Sequence, residues 1–268
     1  MPTLTVTSRN ARFQQWHALL TNRQKRHRTG EFLVQGVRPI TLAVEHGWTV
    51  RALVRPQDGR RSRWASDLLE RVDTEHVVMA PELLRELGEK VDETPELIAV
   101  VELPPDRLDR IAPAPDLLVV VFDRPASPGN LGTLIRSADA FGAHGVVVTG
   151  HACDVYDPKS VRSSTGSLFA LPVVRADSTD DVADWARRRS ATVVGTDETG
   201  TVDVSAHDLT APTVLVVGNE TSGMSQAWRH ACDTIVRIPI GGAASSLNAA
   251  SAATVVLYEA ARQRQPRS

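Results

Sequence analysis

Five short runs in the second half of the chain are apolar almost without interruption: LLVVVFD (117–123), GVVVTG (145–150), ATVVGTD (191–197), TVLVVGN (213–219) and TIVRIPI (234–240). A strand with one wet face alternates apolar and polar residues, so continuous apolarity demands cover on both faces. Between these runs lie helical patterns over 130–142, 157–168, 180–189 and 224–232. Strands alternating with helices predict an α/β fold, a parallel sheet with helices on both sides. Ligands of such sheets sit beyond the carboxyl ends of the strands. The loops that follow the apolar runs are therefore the places to look for chemistry.

The first half alternates as well. The patterning predicts a helix over 11–29, a strand at 32–36 and a helix at 39–47 opened by Pro39 and closed by Gly47. Further β-rich runs cover 50–56, 76–80 and 97–103, with amphipathic helices in WASDLLERV and PELLRELGE. The Pro- and charge-rich PPDRLDRIAPAPD reads as a linker, giving a first domain at 1–103, a linker at 104–115 and a second domain at 116–268. With 268 residues, 42% of them hydrophobic, the chain can bury a core in each.

The formal charge of −2 predicts no nucleic-acid partner, but its distribution is uneven. Between Met1 and Gly30 stand Arg9, Arg12, Arg23, Lys25, Arg26 and Arg28, and no acid. Such a patch either holds phosphates or is a solvated helix face. Two cysteines, Cys153 and Cys232, make no disulfide framework and suit a reducing cytoplasm. His151 and Cys153 have no second cluster to complete a metal site, so no metal is expected. No signal-like segment and no apolar run near the ~20 residues of a membrane span is present, so no membrane partner is expected either.

Three loops after strands carry unusual residues. In SPGNLGTLIRSADAFG (127–142), Asn130 stands at a helix entrance and Arg136 beside its apolar stripe. Asn130 can cap that helix and Arg136 can pair with Asp139; alternatively the turn and the guanidinium form an anion or hydroxyl site. In VVGNETSGMS (216–225), Gly218 ends a strand and lets a ligand approach the backbone, while Glu220 is either a helix-start carboxylate or a site residue. Neither a dinucleotide fingerprint nor a phosphate loop is present, which argues against a nucleotide-dependent dehydrogenase. In IPIGGAASSLNAASAATVVLYEAARQR (238–264), a helix is expected from about Ser246, capped by Ser245 or Ser246. It is apolar nearly all round, which requires burial on more than one side and points to a subunit interface. Asn248 in its first turn requires a dedicated partner.

The order of these motifs is more specific than any one of them. N-x-G-x-x-x-R (Asn130, Gly132, Arg136), G-x-E-x-x-G (Gly218, Glu220, Gly223), then Ile238-Pro239 and Ser246-Leu247-Asn248 resemble the SpoU/TrmH family of SPOUT RNA ribose 2′-O-methyltransferases over about residues 116–264. The first half, with NRQKRHRTGEFLVQGVRPI, is similar to the small ribosomal-protein-like α/β RNA-binding domain of many members. The stretches SRNARFQQWHALL, FDRPASPGN, DVYDPKSVRSSTGSLF and SSLNAA are most similar to members that modify large-subunit rRNA and confer antibiotic resistance. Ala249 stands where many members have Val, a change of packing only.

The resemblance implies a C-terminal trefoil knot and a homodimer. It implies S-adenosylmethionine held by Thr196, Gly218, Asn219, Ile238, Ser246 and Leu247, largely through backbone. It implies catalytic roles for Asn130, Arg136, Glu220, Ser246 and Asn248, and RNA contacts by Arg9, Arg23, Lys25, Arg26 and Arg28. The expected reaction is methylation of a ribose 2′-OH in 23S rRNA by a cytoplasmic enzyme; a tRNA substrate, or a non-catalytic RNA-binding protein of the same fold, are the alternatives. For Arg136 to act as a base its pKa would have to fall some five units, about 7 kcal/mol. Holding phosphate and stabilising a developing alkoxide demand less.

Overall fold

The apolar runs of the second half become the strands of one sheet. A computed structural model describes residues 4–58, 61–89 and 93–265; the outermost residues of the two expected domains, 1–3 and 266–268, lie outside these. The chain divides into two units: residues up to Pro104 together with Tyr156–Val161, and Pro105–Val155 together with Arg162 onward.

The first unit contains β1 (Leu4–Val6), α1 (Ala11–Thr21), α2 (Arg23–Thr29), β2 (Glu31–Gln35), α3 (Val37–Glu45), β3 (Val50–Pro56), α4 (Arg63–Arg71), β4 (Glu75–Met79), α5 (Pro81–Leu87) and β5 (Ile98–Glu102). Its sheet runs β1-β4-β3-β5-β2, with β5 antiparallel to both neighbours and the remaining pairs parallel. Phe13, Trp16 and Leu19 of α1 pack with Val54, Val77, Ile98 and Val100 to form its core.

The single helix expected over 11–29 is two. Asn22 is extended, closes α1 through its N–H to Ala18, and caps α2 by accepting from the Lys25 N–H at 2.9 Å. A second correction follows from this break. Arg26, expected to face RNA, is only 2% exposed. Its guanidinium donates to the carbonyls of Leu19 and Leu20, two of the orphaned acceptors at the end of α1. Arg26 is a structural lock between the two helices.

The second unit contains β6 (Leu118–Asp123), α6 (Pro128–Ala140), β7 (Gly145–Thr149), the last residues of α7 (Pro158–Ser164), whose first four belong to the first unit, then α8 (Ser167–Ala170), β8 (Val173–Ala176), α9 (Thr179–Arg187), β9 (Thr192–Thr196), β10 (Val202–Asp203), β11 (Thr213–Val217), α10 (Gln226–Ala231), β12 (Thr234–Arg237) and α11 (Ala249–Arg264). Its seven-stranded sheet runs β10-β12-β9-β11-β6-β7-β8. Every pair in it is parallel. Two of these strands, β8 and β10, have no counterpart among the five apolar runs. The helix expected over 157–168 is interrupted by positive φ at Thr165 and Gly166.

Residues 105–115, expected as linker, pack with the second unit. Ile111 is fully buried in its core and leaves no room for a side chain at Gly145. Arg110 donates to the Val173 carbonyl at 2.9 Å. On the opposite flank α11 lies against α6, joined by the 2.7 Å hydrogen bond between the hydroxyls of Ser137 and Thr254. Its last turn grips the loop before β11. Gln263 donates to His207 O at 3.0 Å and accepts from the Leu209 N–H at 2.8 Å, and Arg264 donates to Leu209 O at 2.8 Å.

Candidate active site

Three adjacent parallel strands, β12, β9 and β11, deliver Ile238, Thr196 and Gly218 to the same carboxyl edge. The loops that follow them enclose a cleft of about 370 Å³. Thr196, Gly218, Asn219, Ile238, Ser246 and Leu247 all line it, so the six residues expected at the cofactor are brought together. The volume lies within the roughly 300–1,000 Å³ that small-molecule sites occupy.

The 218–223 loop is a tight, self-bonded turn. Asn219 and Gly223 exchange both backbone hydrogen bonds at 3.0 Å, and the Asn219 side-chain carbonyl accepts from the N–H groups of Thr221 and Ser222. A Cβ on Gly218 would lie 2.2 Å from Met224 N and 2.3 Å from Gly223 C. Glycine is therefore required by the protein's own backbone. Gly218 also lines the cleft, so this constraint stands beside the ligand access expected from sequence.

Glu220 joins this loop to α6. One carboxylate oxygen accepts from the Ser127 N–H at 3.1 Å and the Asn130 amide at 3.0 Å, the other from the Ala126 N–H at 3.0 Å. Burial pushes this carboxyl upward, but the donors from Ala126, Asn130 and Ser127 outweigh it and hold it below the usual carboxylate range. The helix is capped by the Ser127 hydroxyl, with Pro128 at its first position. Asn130 is thus released from the capping role that its position suggested. Its carbonyl oxygen accepts from the Asn248 amide at 3.2 Å.

Asn248 has the dedicated partner that its position demanded, but its place in the helix differs from expectation. It is the N-cap of α11, accepting from the N–H groups of Ala250 at 3.0 Å and Ser251 at 3.3 Å. The helix starts at Ala249 because Asn248 satisfies its first donors; Ser245 and Ser246 lie in exposed loop before it. Ser246 lines the cleft. Arg136 is solvent-exposed on α6, two turns from Asn130, and makes no hydrogen bond or ion pair among the described residues. Asp139, the partner that the alternative reading gave Arg136, instead accepts from the Ser167 hydroxyl at 2.6 Å.

Sequence reasoning missed a second layer. Asp123, at the end of β6, is 2% exposed and accepts from Ser225 N at 2.7 Å, Arg124 Nε at 3.1 Å and the Thr149 hydroxyl at 3.3 Å. Arg124 adopts a left-handed backbone, donates to Gly223 O at 2.9 Å and accepts from the Asn219 amide at 2.7 Å. Asp197, after β9, is held by Arg229 at 2.5 Å and by Thr199. The available signal was positional: all follow strands at the functional edge. Of the expected RNA contacts, Arg9 pairs with Glu86 at 2.8 Å, Arg28 is exposed, and Arg23 and Lys25 are half-buried.

Among the described residues no group of three or more His, Cys, Asp or Glu could hold a metal ion. No described helix is long and apolar enough to cross a membrane.

An all-parallel sheet with a cleft built from three loops at its carboxyl edge, beside a helix whose arginine has no side-chain partner among the described residues, defines an α/β protein that binds a ligand outside the sheet. The chain belongs to the SpoU rRNA methylase family, whose description matches residues 117–258, and residues 10–99 match the SpoU L30e-like domain. It is 64% identical over 266 residues to a 23S rRNA (uridine(2479)-2′-O)-methyltransferase from Streptomyces viridochromogenes, covering 97% of this chain and 92% of that one. A crystal structure of the SpoU methyltransferase AviRb from the same organism, in complex with AdoMet, superposes with a TM-score of 0.91 at 63% identity, covering 96% of this chain and 98% of that one. An AdoMet-bound rRNA methyltransferase from Sinorhizobium meliloti superposes with a TM-score of 0.86 at 32% identity, covering 97% and 98%.

Proposed function

We propose that this protein transfers the methyl group of S-adenosylmethionine to a ribose 2′-OH of 23S rRNA. The observation that carries the reading is the Glu220 bridge: one carboxylate ties the loop lining the cleft to the helix that bears the unpaired Arg136. The residues of the cleft fit the cofactor. Val217, Ile238, Leu247 and Ala252 supply apolar walls, and loop backbone supplies donors and acceptors for an adenosine and an amino-acid tail.

When bound, the cofactor supplies a methyl group already activated by its sulfonium charge. The chain's own task is then alignment, which can account for much of the rate. Glu220, Asn130 and Asn248 fix the start of α6 relative to the cofactor loop. Arg136 offers five N–H donors to the phosphate beside the target ribose and to the oxygen as its proton leaves.

The reading includes a C-terminal trefoil knot, supported by the insertion of β12 between β9 and β10 and by the grip of α11 on the 207–211 loop. It includes a homodimer, supported by Leu247, Val255 and Tyr258, which stay exposed on and before α11 in the single chain. In it the first unit, through Arg9, Arg23, Lys25 and Arg28, presents RNA in the cytoplasm, while the catalytic unit begins where the expected linker packs. Resistance to a ribosome-targeting antibiotic follows if the methylated ribose lies in a drug site, which drug-susceptibility measurements on an expressing strain would read.

Incubating the protein with labelled cofactor and either naked 23S rRNA or tRNA, then mapping ribose methylation, tests the assignment. One 2′-O-methylated position in 23S rRNA is the expected result. Label only in tRNA, or only on bases, would overturn it.

A further inference from the structure

The cleft is acidic, and of its carboxylates the three family motifs account only for Glu220. Its lining contains Asp197, Glu198, Glu220 and Arg229 as charged residues, three carboxylates against one guanidinium, a formal −2. Two of the carboxylates are already compensated. Asp197 is paired with Arg229 at 2.5 Å and accepts from the Thr199 hydroxyl at 2.6 Å and N–H at 3.0 Å. Glu220 faces the amide donors at the start of α6, where the helix dipole adds positive potential. Glu198 is different: it lines the cleft, is exposed, and makes no hydrogen bond or ion pair among the described residues.

The methyl donor carries a sulfonium, so it is one unit more positive than the thioether product that remains after transfer. An uncompensated carboxylate in the cleft wall interacts with that difference. Resting on the function proposed above, we infer that Glu198 is a specificity-determining residue: its charge favours the cationic donor over the neutral product and so assists exchange after each turnover. The interaction works across solvent, so it is modest and is screened by salt. Its neighbours do not duplicate it, because the Asp197–Arg229 pair is neutral and Glu220 is shared with α6.

The test is calorimetric titration of the full chain with S-adenosylmethionine and, separately, S-adenosylhomocysteine, at low and high salt. The wild type binds the donor more tightly at low salt. Glu198→Gln weakens donor binding about three- to tenfold and leaves product binding unchanged, so the ratio of the two dissociation constants falls. Glu198→Asp, which keeps the charge, retains most of the ratio. High salt narrows the gap between wild type and Glu198→Gln. If Glu198→Gln shifts both ligands equally, or neither, the inference is wrong while the cofactor site stands. If the wild type binds neither ligand, the cofactor reading itself fails.

Discussion

The side-chain amide of Asn248 donates to the carbonyl oxygen of Asn130 at 3.2 Å, joining the cap of α11 to the first turn of α6. Asn130 passes the connection on to Glu220 at 3.0 Å, and Glu220 belongs to the loop that lines the cleft. Two segments that lie 90 and 118 residues from Asn130 in sequence are thus held to it by two amides and one carboxylate. The loop that lines the cleft, the start of α6 and the start of α11 are held together by one polar chain.

Removing Glu220 is expected to damage both sides at once. Glu220→Ala leaves the Ala126 and Ser127 N–H groups and the Asn130 amide without their acceptor, a cost of about 1–3 kcal/mol. Cofactor affinity and turnover should both fall, and a lowered melting temperature should accompany them. A variant with native stability and native cofactor affinity would show that the bridge does not matter.

Arg136→Ala should behave differently. The side chain has no partner to lose among the described residues, so fold and cofactor affinity should stay at wild-type values. The rate of methyl transfer at saturating cofactor should drop by about 100-fold or more, as when one preorganised charge-stabilising donor is removed. Circular dichroism and a cofactor titration beside the rate measurement separate this outcome from misfolding.

Asn248 has two duties that substitution can separate. Asn248→Ala removes the cap of α11, at about 1 kcal/mol, along with the amide to Asn130. Asn248→Ser restores a capping oxygen but cannot reach Asn130 with an amide. Recovered stability without recovered turnover is the predicted result for the serine variant.

The basic N-terminal segment divides by burial. Changing Arg23, Lys25 and Arg28 to Gln should weaken RNA binding and flatten its salt dependence, by about 0.7–0.9 in log–log slope for each phosphate no longer neutralised. Arg26→Gln should instead lower stability, because Arg26 satisfies the carbonyls of Leu19 and Leu20. Fluorescence anisotropy over a salt series and thermal melts distinguish the two classes.

That division was not legible in the sequence. Arg26 sits in a run of basic residues with nothing to mark it, because its partners include backbone carbonyls left open where the helix breaks at Asn22 and the carboxylate of Asp157, distant in sequence. The strands of the second unit were legible because burial on both faces leaves an unbroken apolar run. The two-residue β10 leaves no such trace, since its pairing with β12 is set by the fold. The site loops were legible as positions after strands. Their bonding was not: Ser127 takes the cap that was one of two readings open for Asn130, and Asn248 takes the one expected of Ser245 or Ser246. Capping depends on where a helix begins, and pattern locates a boundary only to within a few residues.

Acid stability provides a check on α11. Glu259 accepts from Arg262 at 2.7 and 2.8 Å and from Gln263 at 2.8 Å. The Arg262 bonds, opposed by burial and aided by Gln263, lower its pKa from 4.5 to about 2. A carboxyl depressed by folding stabilises the native state above its unfolded value, so this contribution is complete above about pH 4.5 and is lost as pH falls toward about 2. Glu259→Gln should flatten the stability–pH curve in that window, read by urea unfolding at stepped pH.

The central claim is that the loops after β9, β11 and β12 form the methyl-donor site beside the helix that carries Arg136. A crystal structure of the protein grown with S-adenosylmethionine tests it most directly. The account predicts cofactor density in the cleft lined by Thr196, Gly218 and Leu247, with its sulfonium turned toward α6. Density elsewhere, or a sulfonium turned away from α6, would contradict it.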